Sequence, residues 1–183
     1  PDPPTVNSSL VTTDEDTTVS GMVSTSPATG VTVRLDQPPL NGTVTVDPSG
    51  AYVYVPDPDY SGQDEFTVIA TLGQADSLPG RVTVLVQPVN DAPLLSGPSA
   101  LTVAQGGSTS GQAVGTDVEG DALFYFEATP PSHGTLTVST STGSFVYTPA
   151  AGFTGADFFE LEVTDGQLTS APHRVDVVVQ ALP

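Results

Sequence analysis

The sequence predicts an all-β protein made of two tandem β-sandwich domains, each with seven strands, arranged end to end. Three observations support this prediction. One pattern occurs twice in the 183 residues, apolar residues alternate with period two, and 18 glycines and 18 prolines suit short strands joined by tight turns. No stretch has a helical period longer than a few residues.

The internal repeat sets the expected domain boundary. LNGTVTV at 40–46 is echoed by SHGTLTV at 132–138, and the segment 48–68 is echoed by 141–161. A linker, QPVNDAP, separates the two copies. We therefore assign residues 1–89 to the first repeat and residues 90–183 to the second. Both ends of the sequence resemble this linker, so we expect a segment of a longer chain.

Alternation within the strands defines the expected cores. In FFELEV, Phe159, Leu161 and Val163 share one face, and Glu160 and Glu162 share the other. The expected strands of the first repeat span approximately 5–12, 17–23, 31–36, 42–46, 51–55, 65–71 and 77–87. Seven short strands with regular turn signals are typical of an immunoglobulin-like sandwich. Four aromatic residues are expected in the cores rather than in a ligand platform: Tyr52, Tyr54, Phe145 and Tyr147.

Composition narrows the classes of partner. The chain has 21 acidic residues and only three basic ones (Arg34, Arg81 and Arg174), which gives a net charge of -18. Such a surface repels nucleic acid and anionic membranes, so inorganic cations are the natural partners. No apolar run approaches the roughly 18 residues of a membrane span. The absence of cysteine excludes disulfides, thiolate metal sites and cysteine nucleophiles.

The loop GTDVEGDA concentrates charge without neutralising it. Asp117, Glu119 and Asp121 lie within five positions and have no Lys or Arg nearby. Like charges a few ångströms apart repel by about 1 kcal/mol even in water. A single loop of this kind is more often a solvated surface, so the placement of the other acids decides the interpretation.

An up-and-down order of strands sorts the acidic loops between the ends of each repeat. We call the end at which the first strand starts the leading end, and the end at which the last strand finishes the trailing end. The leading end of the second repeat would gather Asp117, Glu119, Asp121 and Asp165. The trailing end of the first repeat would gather Asp14, Glu15, Asp16, Asp64 and Glu65. The linker residues Asn90 and Asp91 run between them, so the acids converge on one junction.

The two outer ends lack these residues. STSPATG at 24–30 replaces the acidic loop in the first repeat, and Leu72 replaces Asp165. AQGGS at 104–108 replaces DEDT in the second repeat. Random surface charge would not be expected to sort in this way.

Calcium is the ion that best suits the converging set. It accepts six to eight oxygen ligands in flexible geometry, whereas magnesium requires a stricter octahedron and keeps its waters. The predicted ligands, enough for two or three calcium ions, are Asp14, Glu15, Asp16, Asp64, Glu65, Asn90, Asp91, Asp117, Glu119, Asp121 and Asp165. Hydrogen bonding to turn amides is an alternative role for Asp64 and its equivalent Asp157. The pattern is not an EF-hand, because the required Gly would fall at Ala122 and the bidentate Glu at Ala128.

Several motifs together resemble a known family. DEDTTVSG, D-x-E-G-D, G-x-Y-x-Y-x-P, VTDG and PVNDAP resemble the bacterial cadherin-like, Ig-like tandem repeats of very large secreted adhesins, including RTX-type and biofilm-associated surface proteins. The resemblance covers essentially the whole chain and lies in the order of the motifs across two copies. It implies rod-like arrays outside the cell, with calcium ions shared between one domain, the linker and the next domain.

The expected function is therefore a calcium-rigidified extender segment at the bacterial cell surface, with neighbouring repeats of the same long chain as partners. The alternative is a calcium-dependent module that binds carbohydrate or protein, including homophilic adhesion. Tyr60 and Phe153 occupy equivalent loop positions, which favours a structural plug over recognition of cell-surface glycans or proteins. We expect the fragment to be monomeric.

Enzymatic activity is not expected. His133 replaces Asn41 at a turn, and His173 precedes Arg174 at a strand edge. Neither histidine has a serine or an acid placed beside it as a catalytic triad would require. Two histidines also make a poor zinc site.

Overall fold

The structure is a computed structural model that describes residues 2–182, and these residues form strands and turns. The predicted all-β fold is confirmed. Among residues 2–182 we find no helix with the length and hydrophobicity that a membrane span requires. Contacts divide the chain into two compact units, Pro1–Val89 and Asn90–Pro183, and each has its own hydrophobic core.

Ten strands lie among the described residues of the first repeat, of which three are only two residues long. They are β1 (Thr5–Val6), β2 (Ser9–Asp14), β3 (Val19–Met22), β4 (Thr25–Ser26), β5 (Thr32–Gln37), β6 (Gly42–Val46), β7 (Ala51–Pro56), β8 (Gly62–Leu72), β9 (Ala75–Asp76) and β10 (Gly80–Gln87). The predicted span 42–46 matches β6, and the other long strands differ from their predicted spans by a few residues at their ends.

The single strand expected at 5–12 is two strands with different partners. β1 pairs with β4, whereas β2 pairs in parallel with β10. The chain changes partner between them, where the amide of Asn7 donates to the carbonyl of Ser24 over 3.0 Å. A Cβ on Gly80 would lie 2.1 Å from Val6 Cγ1, so glycine at the start of β10 is what lets β1 pack there.

The long strands of the first repeat form two sheets that enclose the core. One sheet has the order β3-β7-β6, and the other has the order β2-β10-β8-β5 with β9 attached to β8. Alternate residues of β8 and β10 point inward, including Phe66 and Val84, which are 1% and 0% exposed. The period of two in the sequence therefore selects the buried face.

The second repeat has the same architecture. Its strands are β11 (Leu94–Ser96), β12 (Ala100–Ala104), β13 (Thr109–Gln112), β14 (Val114–Thr116), β15 (Phe124–Thr129), β16 (Gly134–Val138), β17 (Ser144–Pro149), β18 (Gly155–Thr164) and β19 (His173–Gln180). The two main sheets have the orders β13-β17-β16 and β12-β19-β18-β15, and β11 pairs with β14.

The four aromatic residues expected in the cores are buried, as predicted. Tyr54 and Tyr147 are 0% exposed, and both cores contain an edge-to-face aromatic pair. Tyr52 packs on Phe66 at 5.2 Å in the first repeat, and Phe145 packs on Phe159 at 5.3 Å in the second. Such a pair contributes about 0.5–1.5 kcal/mol beyond the burial of its area.

The pairing of strands fixes which loops share an end. In the first repeat β2 and β10 run in the same direction, so Asp14 lies opposite Gln87 at the trailing end. β8 starts at that end as well, with Gly62 opposite Val86. In the second repeat β18 runs antiparallel to β19 and finishes at the leading end with Thr164. The up-and-down order predicted from the sequence is confirmed within each repeat.

Candidate metal-binding site

Glu15 anchors the trailing end of the first repeat. Its side chain is buried, with the residue 5% exposed, and a carboxylate oxygen accepts a hydrogen bond from the amide of Val89. Its own amide donates to the carbonyl of Gln87 over 2.9 Å. The acidic turn after β2 is therefore bound to the last residues of the repeat.

Two aspartates at this end adopt an unusual backbone. Asp16 and Asp59 have φ of 55° and 57°, and they are the described non-glycine residues with positive φ. The amide of Asp59 donates to Asp16 Oδ1 over 3.2 Å, so the two turns are held together. Aspartate tolerates this left-handed conformation better than most residues, but glycine adopts it at no steric cost.

The second repeat provides the direct comparison for these turns. Gly106 stands at the position of Asp16 and Gly152 at the position of Asp59, with φ of 75° and 80°. The backbone of the turn is also kept, because the amide of Gln105 donates to Gln180 O over 2.8 Å as that of Glu15 does to Gln87. The fold therefore requires a left-handed residue at both positions, and the first repeat places a carboxylate there.

Asp59 and its neighbour Asp57 are candidate ligands that the sequence analysis missed. The signal was present, because PDPDY follows the fifth expected strand, whose loop belongs to the trailing end. The equivalent segment of the second repeat is PAAGF, which carries no acid.

At the leading end of the second repeat, the linker is bonded to Asp165. Asn90 Nδ2 donates to Asp165 Oδ2 over 2.7 Å, and Gln167 Nε2 donates to Asn90 Oδ1 over 2.8 Å. The hydrogen bond from Asn90, together with those from the amides of Leu168 and Gln167, holds the pKa of Asp165 below its usual value. This carboxylate is therefore kept ionised and oriented.

The acidic loop after β14 reaches the same linker. Glu119 Oε2 accepts a hydrogen bond from the amide of Asp91 over 3.2 Å. Within the loop, the amide of Asp121 donates to Asp117 Oδ1 over 2.9 Å. The structure thus brings Asn90, Asp91, Glu119 and Asp165 together, and it folds the loop around Asp117.

One carboxylate oxygen in this loop is enclosed without a hydrogen-bond donor. Asp117 Oδ2 is enclosed, with less than 1 Å² accessible, and no described residue donates to it. An enclosed charged oxygen without a donor is strongly unfavourable. The three arginines are paired elsewhere, with Asp76, Glu65 and Asp176. A bound cation fits this position, and the carboxylate and amide oxygens around it are ligands that calcium prefers.

The remaining predicted ligands have other contacts. Asp64 is buried and accepts hydrogen bonds from the amides of Leu40 and Asn41 at 3.1 Å and 3.0 Å and from Tyr54 Oη at 2.8 Å. These contacts support its alternative role at turn amides. Glu65 lies on the outer sheet face, 2.8 Å from Arg81. Asp14 ends β2 with its side chain exposed.

Asp157 shows that the buried aspartate belongs to the fold of both repeats. It accepts hydrogen bonds from the amides of Ser132 and His133 at 3.0 Å and 2.9 Å and from Tyr147 Oη at 2.9 Å. The arrangement repeats that of Asp64, although the trailing end of the second repeat carries no predicted metal ligands. The role of this carboxylate is to connect a turn to the core.

The two loop aromatics are packed rather than displayed. Tyr60 lies against the first core and donates its hydroxyl to the carbonyl of Gln63 over 2.8 Å. Phe153 lies against the second core and stacks on His133 at 4.3 Å. Both rings are partly buried against the cores, which favours a structural plug over a recognition site at these loops.

Comparisons with known proteins agree with the observed architecture. A family described as bacterial Ig domain matches the sequence twice, over residues 1–85 and 90–178. No curated protein matches it. The fold is similar to human mucin-like protocadherin EC1-2, with 19% identity, 98% of each chain covered and a TM-score of 0.57.

Two further solved structures show the same likeness. Human CDH23 EC21-23 has 14% identity and a TM-score of 0.62, with 99% of this chain and 70% of that chain covered. Mouse cadherin-23 EC22-24 has 16% identity and a TM-score of 0.61, with 100% of this chain and 67% of that chain covered. These similarities confirm the predicted immunoglobulin-like and cadherin-like fold.

Proposed function

The chain belongs to the bacterial Ig domain family, with two tandem copies, and from this premise we propose that it is a calcium-rigidified extender segment of a large extracellular adhesin. Calcium ions bind where the first repeat passes into the second, and they fix the angle between the two domains. The partners are the neighbouring repeats of the same long chain.

The observation that carries this proposal is that the first repeat has aspartate at two left-handed turns where the second repeat has glycine. Asp16 and Asp59 occupy positions where Gly106 and Gly152 serve the same backbone in the second repeat. Placing two carboxylates there costs conformational energy and adds charge repulsion. A ligand that needs carboxylate oxygens at this end explains why both substitutions occur together.

The short backbone between the two repeats supports a site that both acidic sets share. Glu15 accepts from the amide of Val89 within the first repeat, and the amide of Asp91 donates to Glu119 within the second. Val89 and Asp91 are two residues apart, so their Cα atoms are separated by at most about 7 Å at any domain angle. Both acidic sets therefore start from the same short piece of backbone.

The number and type of ligands favour calcium over magnesium. The revised ligand set omits the two residues with other roles and adds the two missed acids, and it consists of Asp14, Glu15, Asp16, Asp57, Asp59, Asn90, Asp91, Asp117, Glu119, Asp121 and Asp165. Each calcium ion takes six to eight oxygen ligands, and backbone carbonyls and water supply many of them. This set of side chains is therefore large enough for two or three ions. When bound, calcium supplies the positive charge that this set lacks.

The consequence is mechanical. Without a cation, like charges on both sides of a short linker push the domains apart and leave their angle free. An ion bound to both ends favours one angle, and its binding free energy becomes orientational order. A rigid segment of this kind holds a terminal domain away from the cell surface.

Calcium titration by calorimetry tests the proposal directly. We expect the wild-type chain to bind two or more calcium ions and to become straighter by small-angle scattering in calcium than in chelator. The Asp117→Ala, Asp121→Ala double variant should lose at least one ion and the change in shape. Glu127→Ala is the matched control, because Glu127 is an exposed acid on β15 and should leave binding unchanged.

Two results would count against the proposal. If the calcium titration releases no heat of binding and calcium leaves the scattering profile unchanged, the acids are a solvated surface. If Glu127→Ala weakens binding as much as the double variant does, the ions are attracted by net charge rather than held in a site.

A further inference from the structure

The outer face of one sheet in the second repeat carries aromatic rings where the first repeat has polar side chains. Tyr125 in β15 points into the core, so Phe124 and Phe126 lie on the opposite face, and Phe124 is 52% exposed. The strand registers place Thr32 and Arg34 at these two positions in the first repeat. The two repeats therefore share a fold but present different surfaces.

A carboxylate without an internal partner lies beside these rings. Glu162 is directly opposite Phe126 in the register of β15 and β18, where paired Cβ atoms are about 5 Å apart. Among the described residues, the carboxylate of Glu162 has no hydrogen-bond donor or ion-pair partner. We call Phe124, Phe126 and Glu162 the aromatic patch.

The same sheet face shows which group such a combination binds. The guanidinium of Arg174 lies 3.7 Å from the ring centroid of Phe158, and its Nε donates to Asp176 Oδ1 over 2.9 Å. An aromatic ring and a carboxylate thus hold one planar cation between them. The aromatic patch offers a ring and a carboxylate, but the chain has no remaining arginine and no lysine to fill it.

We propose that the aromatic patch binds an arginine side chain presented by a basic partner protein. A guanidinium can stack on a ring while its N–H groups donate to an adjacent carboxylate, which an ammonium does less well. The net charge of -18 attracts a basic partner and opposes a second copy of this chain. The patch contains none of the proposed calcium ligands, so we expect it to bind arginine both in calcium and in chelator.

An NMR titration with a model peptide tests this inference. The ¹⁵N-labelled chain is titrated with a blocked Arg-Thr-Arg peptide at about 0.15 M salt, with calcium and again with chelator. We expect shifts in the amides of β15 and of β18 near Glu162 in both conditions. The matched peptide with citrulline in place of arginine, which keeps the shape but removes the charge, should cause none.

Variants separate recognition from general attraction to an acidic protein. Phe126→Thr should weaken the peptide Kd about two- to fivefold, which is the range of an exposed cation–π contact. Glu162→Gln should also weaken it. Val178 lies in β19 on the same sheet face as the aromatic patch and is 49% exposed, and Val178→Thr should leave the Kd unchanged.

Three results would overturn the inference. The peptide could shift the amides around the exposed Asp47 of the first repeat as strongly as those of β15, or Phe126→Thr could leave the Kd unchanged, and either would indicate charge attraction alone. Sedimentation could instead reveal a concentration-dependent dimer that Phe126→Thr abolishes, which would assign this face to a second copy of the chain.

Discussion

The turns at the trailing end of each repeat adopt a left-handed backbone whose steric cost depends on the residue that occupies it. Glycine meets this requirement freely in the second repeat, whereas Asp16 and Asp59 meet it in the first. A residue that opposes local preference usually indicates a functional demand, because selection for stability alone would replace it. The two aspartates therefore indicate function more specifically than their charge does.

The variant Asp59→Gly should separate stability from function. In the wild-type chain, the carboxylate of Asp59 accepts no hydrogen bond from a described residue. In chelator we therefore expect the variant to be more stable by about 0.5 kcal/mol, because backbone strain and charge repulsion are relieved. In calcium the variant should be less stable than the wild-type chain, because it has lost a calcium ligand. Thermal melting in both conditions measures the two effects.

The mirror variant Gly152→Asp provides the control for this experiment. It should lower the melting temperature in chelator, since aspartate then occupies the left-handed turn. Calcium should not restore it, because the trailing end of the second repeat has no other acids of this type. A calcium response in Gly152→Asp similar to that of wild type would contradict a specific role for Asp59.

Buried Asp157 predicts a dependence of stability on pH. Burial raises the pKa of Asp157, but hydrogen bonds from Tyr147 Oη and three amides outweigh it and hold the pKa below its usual value. A lowered pKa stabilises the fold above the unfolded-state pKa of about 4, and this contribution is lost as pH falls through the lower, folded-state pKa. Tyr147→Phe should therefore cost about 1–3 kcal/mol near neutrality and less in acid.

Urea unfolding from about pH 2.5 to about pH 7 measures this effect. Loss of the hydroxyl raises the pKa of Asp157 in the folded state, so acid destabilisation should begin at higher pH in the variant. Tyr54→Phe is the corresponding change in the first repeat, where Tyr54 Oη donates to Asp64 over 2.8 Å, and it should also lower the free energy of unfolding near neutrality. An equal loss at every pH would show that the contribution of the hydroxyl does not depend on the ionisation of Asp157.

At the scale of strands, the sequence predicted what depends on period and composition. Alternation identified β6, β8 and β10, the buried aromatics and the loops that share an end, because a buried face requires an apolar residue at every second position. It did not predict that β1 and β2 pair with different strands, since the choice of partner depends on long-range contacts. The left-handed φ of Asp59 was also hidden, because aspartate is common in ordinary turns.

The close packing of β1 on β10 yields a prediction for this element. In Gly80→Ala the new methyl group would lie 2.1 Å from Val6 Cγ1, so β1 must move. We expect a loss of about 1–3 kcal/mol, as is typical of overpacking. The new methyl group would also lie 2.4 Å from Val6 Cβ, so relief requires Val6→Gly, which removes both atoms. Combining the two changes should recover part of the loss in chemical denaturation, whereas losses that simply add would show that β1 is not the element displaced.

Part of the candidate site could be predicted from the order of the strands, which decides which loops lie at the same end of a repeat. Asp117, Glu119, Asp165 and the linker were found because acids in successive loops converge when strands run up and down. Asp64 was included because strand boundaries are uncertain by a few residues, and its burial follows from the inward phase of β8. Contacts with Tyr54 and two turn amides could be seen only in three dimensions.

At the scale of the molecule, two compact units, each with its own core, are joined by a short acidic linker. The proposed function implies that, in chelator, charge repulsion near the linker leaves the repeats uncoupled, so we expect them to unfold independently. Differential scanning calorimetry should then require two transitions, and the isolated repeats should reproduce them one by one.

Calcium should couple these transitions if it binds both repeats. An ion held by both is released when either repeat unfolds, so its binding free energy stabilises each folded repeat only while the other is also folded. The transitions should therefore move to higher temperature and merge as calcium rises, and the Asp59→Gly variant should keep them apart. If calcium raises only the transition of the second repeat, its ligands belong to that repeat alone, and the segment would be stabilised by calcium without being rigidified.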